Sequence, residues 1–144
     1  MSDFGGTTDD VRARREAAVR EHMESENRHD LVATMATFSH PRYELIPSGD
    51  VYDGVDEVNT YFARSRGAFP DQRNELIALR HLDDGILVEF DLLGTHLGAM
   101  GPIEPTGKEF RCRMAAMFLF DDEGIVCERV YYDAQTIQRQ LGLA

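Results

Sequence analysis

The sequence predicts an α+β fold, with helices leading and long antiparallel strands following. Three observations carry this. Apolar residues recur at helical spacing up to Phe62, and side chains alternate at strand spacing from Arg73 onward. The long strand runs are joined by turns of hairpin length, Leu82-Asp-Asp-Gly85 and Asp121-Asp-Glu-Gly124. The order is helices then strands, without the βαβ alternation of a parallel sheet. With 144 residues the chain is long enough for one domain with a single core and room for a pocket.

The elements follow in order. Residues 1–7 are expected to form a flexible tail. A helix is predicted from Thr8 to about Arg28, capped by Thr8 or Asp9, with Val11, Ala18 and His22 near one stripe. A short second helix, about Asp30 to Phe38, ends at His40-Pro41, because the residue before a proline leaves helical geometry. Tyr43 to Ile46 reads as a strand, Pro47 to Asp50 as a turn, and a short strand ends at Tyr52. Gly54 opens a third helix, with Val55, Val58 and Phe62 on one side and Gly67 and Pro70 marking its end. Strands are predicted from Arg73 to His81 and from Ile86 to Thr95. A Gly- and Pro-rich loop from Leu97 to Glu109 leads to the strand Phe110 to Phe120. The last strand starts at Ile125 and delivers Asp133 to the start of a terminal helix stopped by Gly142. Residues 8–144 are read as one domain.

Composition excludes several classes. A formal net charge of −11 disfavours nucleic acid and anionic membranes as partners. No apolar run approaches the roughly 20 residues of a membrane span. The amino terminus lacks a basic and apolar secretory leader, so a cytoplasmic location is expected. Lys108 is the only lysine among 15 basic residues, a bias that points to no mechanism. Cys112 and Cys127 are expected to be small buried hydrophobes and not a disulfide. No pair of histidines with a carboxylate has metal-ligand spacing, so no metal is expected. There is no Gly-rich phosphate loop, no G-x-S-x-G and no C-x-x-C, and no cofactor is expected.

In the last hairpin, a four-residue loop from Asp121 to Gly124 would set Phe120 against Ile125. Counting outward then pairs Phe118 with Cys127, Ala116 with Arg129, Met114 with Tyr131 and Cys112 with Asp133, all on one face. That face is apolar apart from Arg129 and Asp133 and is the expected inner wall. Arg129 there needs a partner, Glu44 or Glu89, or an acidic group of a substrate. The opposite face holds Arg111, Arg113, Glu128 and Tyr132 among Ala115, Met117, Leu119, Val126 and Val130. So apolar an outer face predicts a homodimer. A β-bulge would reverse the facing of Asp133.

The terminal stretch Gly124-Ile-Val-Cys-Glu-Arg-Val-Tyr-Tyr-Asp133-Ala-Gln-Thr-Ile-Gln-Arg-Gln-Leu-Gly142 resembles the closing motif of the SnoaL-like polyketide cyclases, a branch of the nuclear-transport-factor-2-like superfamily. The resemblance runs upstream through Phe90-Asp-Leu-Leu-Gly-Thr-His96-Leu-Gly98, Pro105-Thr-Gly-Lys108 and Phe118-Leu-Phe-Asp-Asp-Glu-Gly124, and covers the chain from about Asp30. It implies a cone-shaped barrel, a curved antiparallel sheet wrapped around the first helix. It also implies that Asp133 is the general acid/base of an intramolecular aldol closure. Burial among Cys112, Met114 and Tyr131 would raise its pKa toward that task; as a favoured helix N-cap, Asp133 also has a purely structural use. His96 is a second catalytic candidate, polarising a carbonyl, or a strand-end histidine tied into its turn. Cys112, Met114, Phe118, Arg129, Tyr131, Tyr52 and Phe62 are the candidate substrate contacts. The expected function is a cofactor-independent cyclase or isomerase acting on an apolar or aromatic carbonyl compound. The alternatives are a binding protein for an apolar metabolite, or a dehydratase or epoxide hydrolase on the same scaffold. The chain departs from the cyclases in offering Cys112, Met114 and Ala116, without asparagine, across from Asp133.

Overall fold

The computed structural model describes residues 8–144; the expected tail, residues 1–7, lies outside them. Helix α1 (Asp9–Asn27) starts where the Thr8 hydroxyl accepts the Val11 N–H at 3.2 Å, with Asp9 and Asp10 in its first turn. Acidic groups there suit the positive end of the helix dipole. Its inner stripe is Val19, His22, Met23 and Ser25. Helix α2 (Leu31–Ala36) follows His29, which takes a left-handed φ of 56° to make the corner, and is capped by Asp30. Then come β1 (Arg42–Leu45), β2 (Asp50–Asp53), α3 (Val55–Ala68), β3 (Arg73–Leu82), β4 (Gly85–Thr95), β5 (Glu109–Phe120), β6 (Ile125–Tyr132) and α4 (Ala134–Gln140).

The six strands form one curved sheet in the order β2-β1-β6-β5-β4-β3. All neighbours are antiparallel except β1 and β6, which run parallel. The sheet stays open at β2 and β3, so the cone is a wrapped sheet and not a closed barrel. Helix α1 packs against β3 and β4, setting Val19 and Met23 among Ile86, Val88, Phe90, Met114, Ala116 and Phe118. Full burial of one such large side chain contributes about 1.5–3 kcal/mol. A second cluster of Tyr43, Val58 and Phe62 ties α3 to β1.

The last hairpin corrects the expected register. Phe120 does face Ile125, but the ladder then slips: Leu119 faces Cys127, Phe118 faces Glu128, Met117 faces Arg129 and Ala116 faces Val130. The cause lies in the chain's own hydrogen bonds. The carbonyl of Ile125 accepts the N–H groups of Ser39 and His40, and its N–H donates to Thr37, so Val126 is left as the extra residue of a bulge. Because side chains alternate, one extra residue turns the whole strand over. Glu128, Val130 and Tyr132 therefore share the inner face with Phe118, Ala116 and Met114, while Arg129 and Tyr131 face outward. Cys112 and Cys127 are both buried and free, and the two are not register partners.

The loop after β4 is docked on the end of α3. The N–H groups of Leu97 and Gly98 both donate to the Ala68 carbonyl, at 3.1 and 3.0 Å. A Cβ at position 98 would lie 1.9 Å from the Gly67 carbonyl oxygen, so only glycine allows this approach.

Candidate functional site

The polar groups buried deepest in the cone come from four elements. The inner stripe of α1 carries His22 and, one turn on, Glu26. The bulge turns Glu128 of β6 inward, and the parallel pairing of β1 with β6 sets Tyr43 directly beside it. Helix α3 adds Tyr61, Phe62 and Arg66. Glu26, Tyr43, Tyr61, Arg66 and Glu128 line one cavity of about 50 Å³, together with Asn74, Phe90, Met114 and the exposed Arg73.

The hydrogen bonds fix the charge of His22, whose side chain is fully buried. Thr37 uses its single hydroxyl proton on the Thr34 carbonyl at 2.7 Å, so at 2.9 Å it accepts from His22 Nδ1–H. The Tyr43 hydroxyl donates to Glu26 Oε2 at 3.2 Å, so at 3.1 Å it accepts from His22 Nε2–H. With a proton on each nitrogen, His22 is an imidazolium. Burial opposes that charge, but Glu26 and then Glu128 outweigh it and push the imidazole up to about 10.

The two carboxylates differ. Burial works against the charge of Glu26, but His22 first, then Arg66 and Tyr43, hold its carboxyl below the usual range. Burial pushes Glu128 up, and the charge of Glu26 adds to it, against the pull of His22 and Arg66. Glu128 Oε1 lies 2.9 Å from His22 Nε2, an ion pair bent away from the ideal N–H line, and no second donor reaches that oxygen. Arg66 donates to Ser65 Oγ at 2.8 Å and to Glu26 Oε2 at 3.4 Å, while its Nε–H has no acceptor. Burial, then the charges of Glu26 and Glu128, push the Tyr43 hydroxyl well up, so it remains a donor.

His22, Glu26 and Glu128 hold one ligand-type atom each within 4.8 Å of the others. Both imidazole protons already have acceptors, and the two carboxylates stand 2.9 and 3.6 Å from Nε2 as its counter-ions. The trio is therefore read as an ion-pair cluster.

The residues singled out from sequence fall in several places. Met114 lines the cavity; Cys112 and Phe118 are buried on the same face, Phe118 with its ring 5.0 Å from that of His22. Phe62 is buried beneath Arg66, 4.9 Å from its guanidinium carbon. Tyr52 stacks on Tyr61 at 4.7 Å, and both line a separate, more apolar recess of about 290 Å³ with Phe69 and Met100. Arg129 does pair with Glu44, at 2.6 Å, but on the outer face, where Tyr131 is also exposed.

Asp133 does not enter the cavity. Its side chain is 63% exposed and caps α4, accepting from Gln135 N–H at 3.1 Å and from the Thr136 hydroxyl at 3.0 Å. The expected desolvation among Cys112, Met114 and Tyr131 depended on the unbulged register. His96 is fully buried behind Phe69, away from the cavity wall; its Nδ1 accepts the Thr106 N–H at 3.1 Å, and its Nε2 has no partner.

A curved sheet closed over by an amino-terminal helix, with a polar cluster inside the cone, defines a protein of the nuclear-transport-factor-2-like fold. The chain belongs to the SnoaL-like polyketide cyclase family, whose sequence model matches residues 16–141. Similar solved structures include AclR, a putative hydroxylase from Streptomyces galilaeus (20% identity, 92% of this chain and 87% of that one, TM-score 0.78). A putative SnoaL-like polyketide cyclase from Jannaschia sp. CCS1 is similar at 14% identity, over 92% and 94% of the chains, with a TM-score of 0.79. IdmH, a putative polyketide cyclase from Streptomyces antibioticus, is similar at 20% identity, over 89% and 98%, with a TM-score of 0.73. At these identities the likeness speaks for the fold. No curated protein matches the sequence. Among the described residues, no helix is long and apolar enough to cross a membrane.

Proposed function

We propose that the protein is a proton-transfer enzyme, a cyclase or isomerase working on a carbonyl compound held in the cone, with Glu128 as its acid/base. The observation that carries this is a buried carboxylate on a residue lining the cavity, beside the second carboxylate of Glu26, with burial pushing its pKa up. A raised pKa in a dry site is what an acid/base near neutral pH needs. Glu128 takes the proton from the carbon beside the carbonyl. The enolate oxygen lies toward the Arg66 guanidinium, and the charges of Arg66 and His22 stabilise it. The enolate carbon then attacks a second carbonyl to close a ring, the new alkoxide taking the proton back from Glu128, or the enolate regains that proton at another carbon as an isomer. The separate recess of Tyr52, Phe69 and Met100 shares Tyr61 with the cavity, so the apolar remainder of a larger substrate enters it only if that ring turns aside. Membership in a family named for cyclases supports an enzyme of this general type.

The test uses ketones from acetone to 2-tetralone in D₂O, with exchange of their α-protons followed by NMR. Wild type should accelerate exchange and Glu128→Gln should lose most of it. Equal exchange by the two would remove Glu128 from this role.

For assembly, we propose a homodimer through the outer sheet face. That face keeps the expected Ala115, Met117 and Leu119, and from β6 it presents Cys127, Arg129 and Tyr131 in place of Glu128, Val130 and Tyr132. Its Arg129–Glu44 and Arg113–Asp91 pairs would rim an apolar centre. Light scattering at micromolar concentration should give twice 16.3 kDa; the monomer mass would sink the proposal.

A further inference from the structure

The cavity and the apolar recess have a side chain in common. Among the described residues, Tyr61 alone lines both the inner cavity of about 50 Å³ and the recess of about 290 Å³. Its ring has a neighbour in each. Tyr43 of the cavity wall lies at 5.2 Å, and Tyr52 of the recess at 4.7 Å, stacked within 18° of parallel. The helix explains this double position. Tyr61, Arg64, Ser65 and Ala68 follow at i, i+3, i+4 and i+7, the stripe of α3 that walls the recess. Arg66 lies on the neighbouring stripe and lines the cavity. Tyr61 is thus rooted on the recess side while its phenol also walls the cavity.

The tyrosines are not held alike. The Tyr43 hydroxyl accepts from His22 at 3.1 Å and donates to Glu26 at 3.2 Å, which pins its ring in the cone. The Tyr61 hydroxyl has no hydrogen-bond partner among the described residues. What holds it is packing, including ring contacts with Tyr43, Tyr52 and Phe62. Contacts of that kind are given up without leaving a polar group unpaired.

Size makes the movement necessary. About 50 Å³ has room for roughly four water-sized groups, enough for the carbonyl end of a ligand and little more. The remainder has to pass the Tyr61 ring to reach the recess, where Tyr52, Ala68, Phe69 and Met100 offer an apolar lining. A planar ring that pushes Tyr61 aside finds the Tyr52 face that Tyr61 leaves, so one stack replaces another. An alkyl chain displaces the same ring without restoring the stack.

We propose that Tyr61 is a movable partition that selects aromatic ketones: the carbonyl end sits in the cavity, and the aromatic ring takes the place of Tyr61 against Tyr52. The proposal rests on the reading of the cavity as the seat of a substrate carbonyl. It adds which remainder the site accepts and which residue decides it.

The experiment titrates the intact protein, carrying methyl-labelled methionine, with 2-tetralone. Met114 lines the cavity and Met100 the recess, so their methyl signals report the two chambers separately. Both should shift with one common Kd. The NOE between the Tyr61 and Tyr52 rings of the free protein should vanish at saturation, replaced by one from the ligand's aromatic protons to Tyr52. 2-Decalone, the saturated counterpart, should bind about fivefold more weakly, the worth of one aromatic stack. Tyr61→Ala has no ring to displace and should bind 2-tetralone about fivefold more tightly, since a site that must first open shows a reduced apparent affinity. A Met100 shift without one at Met114, or two different Kd values, overturns the proposal in wild type alone. So does a Tyr61–Tyr52 NOE that persists at saturation, 2-decalone binding as tightly as 2-tetralone, or a Tyr61→Ala protein that binds no more tightly than wild type. A common Kd without α-proton exchange of 2-tetralone would leave the partition standing and remove the catalytic role of Glu128. Exchange of acetone that depends on Glu128, with 2-tetralone never reaching Met114, would do the reverse.

Discussion

Glu128 and Asp133 are five residues apart on one stretch of chain, and they live in different solvents. Glu128 is 7% exposed and faces a second carboxylate and an imidazolium nitrogen 2.9 Å away. Asp133 is 63% exposed, and its two oxygens are occupied by the start of α4. Residue type does not separate them. What separates them is a single extra residue, Val126, which decides which side of β6 the interior sees. A carboxylate gains acid/base character from the water it loses, and only one of these two has lost it.

The sharpest way to break the contrast is to remove each charge in turn. Glu128→Gln should lower catalysed α-proton exchange about 10²–10⁴-fold, the usual worth of a positioned acid/base, and Asp133→Asn should leave it within about twofold. The reverse ranking would hand the chemistry back to Asp133. Stability gives the next largest effect. His22→Ala leaves Glu26 and Glu128 with Arg66 in place of the imidazolium between them, and breaking a buried pair of this kind costs about 3–5 kcal/mol. Urea unfolding at pH 7 would measure it, and a loss below about 1 kcal/mol would show that the cluster contributes little to folding.

The pH dependence is smaller and has a definite sign. His22 stands at about 10 in the folded protein against 6.5 as its ordinary value, so its contribution is complete below about 6.5 and is lost as pH rises toward 10. Glu128, also raised, acts in the same direction from about pH 4.5 upward. Glu26, lowered, acts oppositely, giving stability above about 4.5 that is lost in acid. Unfolding free energy should therefore decline between about pH 6.5 and 10 in wild type, and His22→Ala should flatten that decline. The smallest effect belongs to the cap: Asp133→Ala should cost about 1 kcal/mol and Asp133→Asn a few tenths at most. A larger penalty for Asn would mean that Asp133 has a second duty.

Much of the fold is legible in the sequence. Thr8 as cap, Gly54 before α3 and the two hairpin turns are local signals, and each stands within a residue or two of its expected place. The family motifs from Phe90 to Gly142 add the cone. The inner wall was harder to read because its parity depends on distant backbone bonds, those of Ile125 to Thr37, Ser39 and His40, which leave no mark in residues 121–133. His22 was visible on the inner stripe of α1. Its polar neighbour at i+4, Glu26, is the signal that could have marked that stripe as more than core. Arg66 had no such mark, since an arginine near the end of a helix usually lies in solvent.

Gly98 acts at a distance. The loop it begins rests against α3 with nothing between them but backbone, and α3 is the helix that carries Tyr61 and Arg66 into the cone. Position 98 is thus a shim of zero thickness beneath one wall of the cavity. A methyl group there would meet the Gly67 carbonyl and force the loop and the end of α3 apart.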